Sequence, residues 1–327
     1  MSEGPEVKII AKKICKAICG KKIDRVYCKP NIGNECAARI RGSSVRCVQT
    51  YGKNIVIVFS SGIYLRNHML MWGKWRIYDR QKLEEGKATA PLRSKFKRII
   101  HATTDKNLTA NRVINKMEHD HNTGKKNVMD VRSDSRVRLM IFTKEKVAVQ
   151  FNGPILKFSF EDPANLEPIV NLGPDPLSSD FNINELDNRL NRRIKDEGNT
   201  MIVDLLLDQK FVSGIGNKYK SEILFLSNLN PFQRVKDIPP KSMKTLLKKI
   251  PSVLKSGYRH SGATRLVGNT LYMSYNNNSN TRRWSDKHWV FRRGGRPCWK
   301  CGTQIVSDYR LSPRVTFWCP KCQHQSS

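Results

Sequence analysis

Between Pro5 and about Cys19 the apolar residues Val7, Ile10, Ala11, Ile14 and Ile18 recur every three or four positions, which makes one face of a helix apolar. Gly20 supplies its stop. The period then changes. VYC, RCVQTYGKNIVIVF, GIYLRNHMLMWGKWRIY, VRLMIF and KVAVQF are rich in β-branched and aromatic residues, with turn signals such as SSG between them, so strands are predicted behind the helix. From about Glu84 to Arg136 this pattern is interrupted by a basic, polar segment that reads as an insertion, part helix and part loop. NLGPDPLSS, near Asn171 to Ser179, is a Pro- and Gly-rich connector of the kind that separates domains. Beyond it INELDNRLNRRI, NTMIVDLLLDQKFV, NKYKSEILFLSNL and PKSMKTLLKKIPSVLKSGY have helical periodicity. NNNSNTRRWSDK, about Asn276 to Lys287, is either a ligand-touching loop or a solvated connector. No repeat of fixed period is present.

Composition narrows the partner. Among 327 residues, 59 Lys and Arg face 28 Asp and Glu, a formal charge of +31, which calls for a polyanion. With 39% hydrophobic residues the chain is nonetheless globular. No run approaches the roughly 18 apolar residues of a membrane span, and MSEGPEVKIIAKK has charges inside its first apolar run, so neither a signal peptide nor an anchor is expected. Nine cysteines, an odd count, do not form a secreted disulfide framework; a reducing intracellular compartment is expected.

The strongest chemical signal is Cys298-x-x-Cys301 followed by Cys319-x-x-Cys322. Four thiolates so spaced can surround one tetrahedral Zn²⁺ from two tight turns joined by a hairpin, and a four-thiolate site is structural because no position stays open. Arg314 lies on the returning run, where it is either a phosphate fork or a solvated side chain. The second signal is FVSGIGNKYKSEIL. Gly214 and Gly216 permit a tight turn, and a helix starting near Asn217 offers free N–H groups to a phosphate, with Lys218 and Lys220 beside it; a helical pair packed only for stability is the alternative. The third signal is the N-terminus. Removal of Met1 would expose a Ser2 α-amine with an unperturbed pKa of about 7.7–8.0, a competent nucleophile flanked by Glu3 and Glu6, although the same residues also suit an ordinary helix start. His68, the HDH at His119 to His121, and Cys15 with Cys19 are assigned no metal. WSDKHWVFRR either stacks on nucleic acid or closes a joint between domains.

In order, SEGPEV, LGPDPL, DQKFVSGIGNKYKSEILF and PCWKCGT…PRVTFWCPKCQ resemble the formamidopyrimidine-DNA glycosylase and endonuclease VIII family over nearly the whole chain, apart from the insertion. The resemblance implies an α+β architecture: an N-terminal β-sandwich with a leading helix (1–170), a helix-two-turn-helix domain (171–290) and a C-terminal zinc-finger β-hairpin (291–327), with damaged DNA held between the domains. It implies base excision through a Schiff base followed by strand cleavage, with one structural Zn²⁺. Residue by residue, Ser2 takes the nucleophile's place, Glu3 that of the proton-handling carboxylate and Lys53 that of a hairpin lysine on phosphate. Asn217 and Arg314 match phosphate contacts, and Met71 the residue that fills the void of the flipped base.

Three departures follow. The family nucleophile is usually proline, whereas a primary amine at Ser2 gives an imine, a poorer electron sink. Base release is then expected to outpace strand cleavage, as in endonuclease VIII-like enzymes with a non-proline nucleophile. The family's Arg and Phe wedge has no counterpart near VQFNGPIL, which predicts a preference for single-stranded or fork DNA over duplex. The basic insertion either adds non-specific affinity or is a loop peculiar to this chain. The expected substrates are oxidised pyrimidines and ring-opened or hydantoin purine products. A monomer acting where DNA is replicated or repaired, the nucleus in a eukaryote, is expected. The rivals are a damage-binding protein without chemistry and a zinc-finger regulator, the latter disfavoured because one Cys₄ hairpin has no recognition helix.

Overall fold

A computed structural model describes residues 2–29, 32, 34–88, 131–267, 270–271, 284–309 and 314–324. The expected insertion and the loop before Trp284 fall for the most part outside these residues. Helix α1, Gly4–Ile18, buries Val7, Ala11, Ile14 and Ile18, the face read from the sequence, and Gly20 follows it with φ +73°. Short strand β1 (Arg25–Cys28) and helix α2 (Asn34–Ile40) lead into β2 (Val45–Tyr51), β3 (Asn54–Phe59), β4 (Tyr64–His68) and β5 (Lys74–Asp79), then α3 (Arg80–Glu84). After the undescribed stretch come β6 (Val137–Phe142), β7 (Lys146–Phe151) and β8 (Ile155–Ser159). They form two antiparallel sheets in the orders β1-β6-β7-β5 and β2-β3-β4-β8.

Strand β3 is buried at all six positions, and its two faces meet different partners. Ile55, Ile57 and Phe59 join α1 and the other sheet in the sandwich core, while Val56 and Val58 pack with Ile169 from the connector. That double cover explains why NIVIVF lacks alternation. The run RCVQTYGKNIVIVF contains a hairpin, with Tyr51 opposite Asn54 and Gly52 at φ +57° forming its tip with Lys53. GIYLRNHMLMWGKWRIY likewise divides, because β4 and β5 belong to different sheets.

Beyond the connector, α4 (Ile183–Glu197), α5 (Ile202–Leu205), α6 (Asn217–Leu226) and α7 (Pro240–Arg259) share a core that includes Leu186, Val203, Ile223 and Leu246. NTMIVDLLLDQKFV yields only the short α5, because Asp208 accepts from Lys210 N–H at 2.8 Å and turns the chain toward the glycine motif. Two residue pairs, β9 (Leu266–Val267) and β10 (Thr270–Leu271), precede the hairpin of β11 (Val306–Asp308) and β12 (Thr316–Trp318). That hairpin shares a small core with Phe225 of α6.

Candidate active site at the domain seam

Helix α6 starts at Asn217 after a turn in which Gly214 has φ +87°. Its first N–H groups have no partners within the helix. The Glu3 carboxylate, 2% exposed, takes three N–H groups there: Gly216 at 2.8 Å, Lys218 at 2.9 Å and Tyr219 at 3.2 Å. The anion drawn to this helix end is therefore internal, and these N–H groups are not offered to a phosphate. A negative charge on the positive end of a helix, with charge-assisted hydrogen bonds, is favourable on both counts.

Close backbone approach makes the cradle possible. Gly4 N–H donates to the Gly214 carbonyl at 2.8 Å, and a Cβ on Gly52 would lie 2.9 Å from Ser213 Cβ. On Gly216 a Cβ would lie 2.5 Å from Glu3 Cδ. Asp175 of LGPDPL accepts from Gly52 N–H at 3.0 Å and Leu177 N–H at 2.9 Å, pinning the hairpin tip that carries Lys53. Ser2, partly exposed, directly precedes this pinned segment.

Burial lowers the Lys53 ammonium from 10.5 to about 8; the Glu3 charge opposes that shift and Arg314 adds to it. Three stretches far apart in the chain thus bring Lys53, Glu3 and Arg314 into one electrostatic neighbourhood. His68 pairs across the sheet with Asn54, beside the hairpin. Burial, then Lys53 and Arg66, depress it to about 4, and its Nδ1 accepts from Leu70 N–H at 3.2 Å, as a neutral imidazole does. The next turn presents Met71, 56% exposed, and Leu70 at φ 45°.

Lys218, expected among the DNA contacts, is turned inward. It is buried, its ammonium pairs with the Glu6 carboxylate and donates to the Gly262 carbonyl at 3.3 Å. Tyr219 O–H donates to Glu6 at 3.1 Å; burial, with Glu6 and Glu3 nearby, holds that phenol well above its ordinary pKa. Glu6 also accepts from Glu3 N–H at 3.3 Å, so it braces the N-terminal segment against α6. Asn217 is the first helical residue and is partly exposed; Arg314 is exposed immediately before β12.

The thiols of Cys298, Cys301, Cys319 and Cys322 lie within 4.8 Å of one another, with Sγ–Sγ distances of 3.9 Å for Cys298–Cys322 and 3.5 Å for Cys301–Cys319. Zinc–sulfur bonds of about 2.3 Å in a tetrahedron require thiolates about 3.8 Å apart. The donor set fits such an ion. Glu222, buried in α6, accepts from Trp289, Val290 and Phe291 N–H at 2.8, 2.9 and 2.9 Å, and Trp289 stacks on Phe225 at 5.7 Å. Those contacts settle the alternative for this part of WSDKHWVFRR: it closes the joint. Sequence reasoning had no role for Glu222; its only signal was the one acidic residue of a helix that also holds Lys218 and Lys220.

A model of the formamidopyrimidine-DNA glycosylase H2TH domain matches residues 172–267, and one of the formamidopyrimidine-DNA glycosylase N-terminal domain matches residues 1–117. A formamidopyrimidine-DNA glycosylase of Prochlorococcus marinus (strain MIT 9301) is 36% identical over 163 residues, which cover 48% of this chain and 50% of that protein. The chain thus spans about half the length of such relatives. Endonuclease 8 of Escherichia coli (strain UMN026) is 27% identical over 325 residues, 99% of this chain and 100% of that one. A Lactococcus lactis formamidopyrimidine-DNA glycosylase bound non-covalently to DNA containing an AP site has the same fold, with a TM-score of 0.69 and 18% identity over 99% of this chain and 100% of that chain.

Proposed function

Because the chain belongs to the formamidopyrimidine-DNA glycosylase and endonuclease VIII family, we propose that it is a base-excision-repair DNA glycosylase with AP lyase activity, using the Ser2 amine as nucleophile. The observation that carries this reading is the buried Glu3 carboxylate on the start of α6, immediately after Ser2 and in the electrostatic neighbourhood of Lys53 and Arg314. It fixes a carboxylate next to an amine at the seam where a flipped nucleotide enters.

Removal of Met1 frees the amine. The damaged nucleotide leaves the stack, a step costing a few kcal/mol and least for unpaired or damaged bases. The Ser2 nitrogen forms a bond to C1′ as the glycosidic bond breaks and the lesion base departs with a proton. Opening of the sugar ring at O4′, with Glu3 handling the proton, gives the imine. Loss of a C2′ proton then breaks the C3′–O bond and expels the 3′ phosphate, and water hydrolyses the imine to return the amine. A primary amine gives an imine that can lose its positive charge, so base release runs ahead of strand cleavage and the second, δ elimination is weak.

Lys53, Asn217 and Arg314 hold phosphates. Lys218 braces Glu6 from its buried position. Met71, exposed on the turn beside the hairpin, enters the void of the flipped base. The four cysteines hold one Zn²⁺ that keeps the Arg314 hairpin rigid. Strands β7 and β8 are joined by only residues 152–154, which supports the preference for single-stranded or fork DNA, since so short a turn has no Arg and Phe to replace lost stacking. The substrates are oxidised pyrimidines and ring-opened or hydantoin purine products, and the enzyme acts as a monomer wherever DNA is replicated or repaired, the nucleus in a eukaryote.

The test is borohydride trapping on a single-stranded oligonucleotide with an abasic site, with mass spectrometry locating the cross-link. Attachment at Ser2 is expected. Binding without an adduct from an unblocked Ser2 terminus overturns the enzymatic reading and leaves a damage-binding protein. Excision from matched duplex at an equal or faster rate than from single strands overturns the strand preference.

A further inference from the structure

Helix α6 carries three buried charges two residues apart, and each reaches a different body. Lys218 goes to Glu6 of α1 and Glu222 to the N–H groups of residues 289–291. Between them, Lys220 has no exposed surface. Its ammonium donates to Thr316 Oγ1 at 3.1 Å and to the Arg314 main-chain carbonyl at 3.3 Å, while Thr316 O–H donates to the same carbonyl at 3.4 Å. Among the described residues no carboxylate lies within ion-pair distance of Lys220. Burial lowers it to about 8; Asp204 opposes the shift, Arg314 adds to it and Glu3 opposes it.

A buried ammonium with two neutral oxygens for partners is costly, and an apolar side chain of the same length would pack there at less expense. What Lys220 alone accomplishes is to grip the hairpin at the residue whose side chain faces outward. We propose that Lys220 is a positioning residue for Arg314, fixing its main chain from the buried side of the joint so that the guanidinium meets a DNA phosphate in register with Glu3 and Lys53. The inference rests on the DNA-binding reading above. It makes Glu3, Asn217 and Arg314 parts of one rigid unit organised on α6.

The experiment measures affinity of the full chain for a single-stranded oligonucleotide with a tetrahydrofuran abasic analogue over a range of salt. Lys220→Met, Lys220→Gln, Arg314→Ala and the Lys220→Met/Arg314→Ala pair are compared, with bound metal and thermal unfolding followed in parallel. Lys220→Met is expected to weaken binding about tenfold, the loss of one hydrogen bond involving a charged group. It should also flatten the salt dependence by about 0.7, one phosphate on a single strand. The double variant should bind no worse than Arg314→Ala, because both changes remove one contact. Lys220→Gln, which keeps a donor for the Arg314 carbonyl, should restore most of the affinity; Lys220→Leu, which like Lys220→Met holds neither oxygen, carries the test if Lys220→Met does not fold. A wild-type salt slope in whichever of Lys220→Met and Lys220→Leu folds, or losses that multiply in the double variant, overturns the inference while leaving the function intact. Wild-type binding by Arg314→Ala overturns the phosphate assignment and this inference together.

Discussion

The sharpest test of the Glu3 cradle is a single methyl group. In Gly216→Ala the new Cβ would lie 2.5 Å from Glu3 Cδ and 2.8 Å from its Cγ and Oε1, whereas ordinary contact begins at 3.4 Å. The carboxylate must withdraw by roughly 0.9 Å, which carries hydrogen bonds now at 2.8, 2.9 and 3.2 Å beyond bonding reach. Gly216 has φ −135° and ψ −160°, extended backbone that alanine adopts freely, so the cost is contact rather than backbone strain. Each hydrogen bond to a charged group contributes about 1.5–3 kcal/mol; with water replacing part of the loss, about 3 kcal/mol is expected. On a domain of this size that lowers Tm by about 6–10 °C. Displacing a catalytic carboxylate by about 1 Å should slow excision about 100-fold. Thermal unfolding and single-turnover excision from an oligonucleotide carrying an oxidised pyrimidine read the two effects. A double-mutant cycle supplies the control. In a Glu3→Ala background there is nothing to clash with, and Gly216→Ala should then change stability by less than about 1 kcal/mol. A Gly216→Ala protein with wild-type Tm and excision rate refutes the cradle.

Further expectations concern the other site groups. Glu3→Gln should bind DNA within about threefold of wild type while losing at least about 100-fold in excision, and unchanged single-turnover excision would remove Glu3 from the chemistry. Lys53 falls from 10.5 to about 8 through burial, so between those values the folded chain has released a proton that the unfolded chain retains. Stability should rise with pH across that window, and DNA affinity should fall as pH climbs through about 8. Lys220 titrates in the same range, so the comparison is with Lys53→Arg, which should lose the part of the affinity decline due to Lys53; identical pH profiles would exclude it. Chelation should release one zinc ion per chain, loosen the hairpin and flatten the salt dependence of DNA binding. A metal-free protein with an unaltered hairpin, followed by tryptophan fluorescence and affinity titration, would contradict a structural metal.

Much of the architecture is legible because local periodicity decides it. Val7 to Ile18 mark a helix face, NIVIVF a strand, and the paired cysteines a metal-sized cluster. Missed elements have weak local signals. Strand β8, ILKFS, follows a proline and is only five residues long, and α2, seven residues, is too short for a helical period to repeat. The site is harder for a different reason. FVSGIGNKYKSEIL announces a helix start that wants an anion, but the anion is Glu3, 213 positions away from Gly216 in sequence. Nothing near Lys218 says that its charge turns inward to Glu6, and nothing near Glu222 says that it gathers three N–H groups beyond residue 288. These are non-local electrostatic pairings, and only the folded chain decides which of several carboxylates meets which helix end.

The distance along the chain between Glu3 and its cradle has a consequence for biosynthesis. The segment with the proposed amine and carboxylate is held by the backbone of residues 214–219, which is translated more than two hundred residues after it. Under the proposed function, methionine removal can finish long before Glu3 is oriented. Under the same function, a chain ending before α6 would have the amine without the oriented Glu3 carboxylate beside it. Completion of the helical domain is thus the step that orients Glu3.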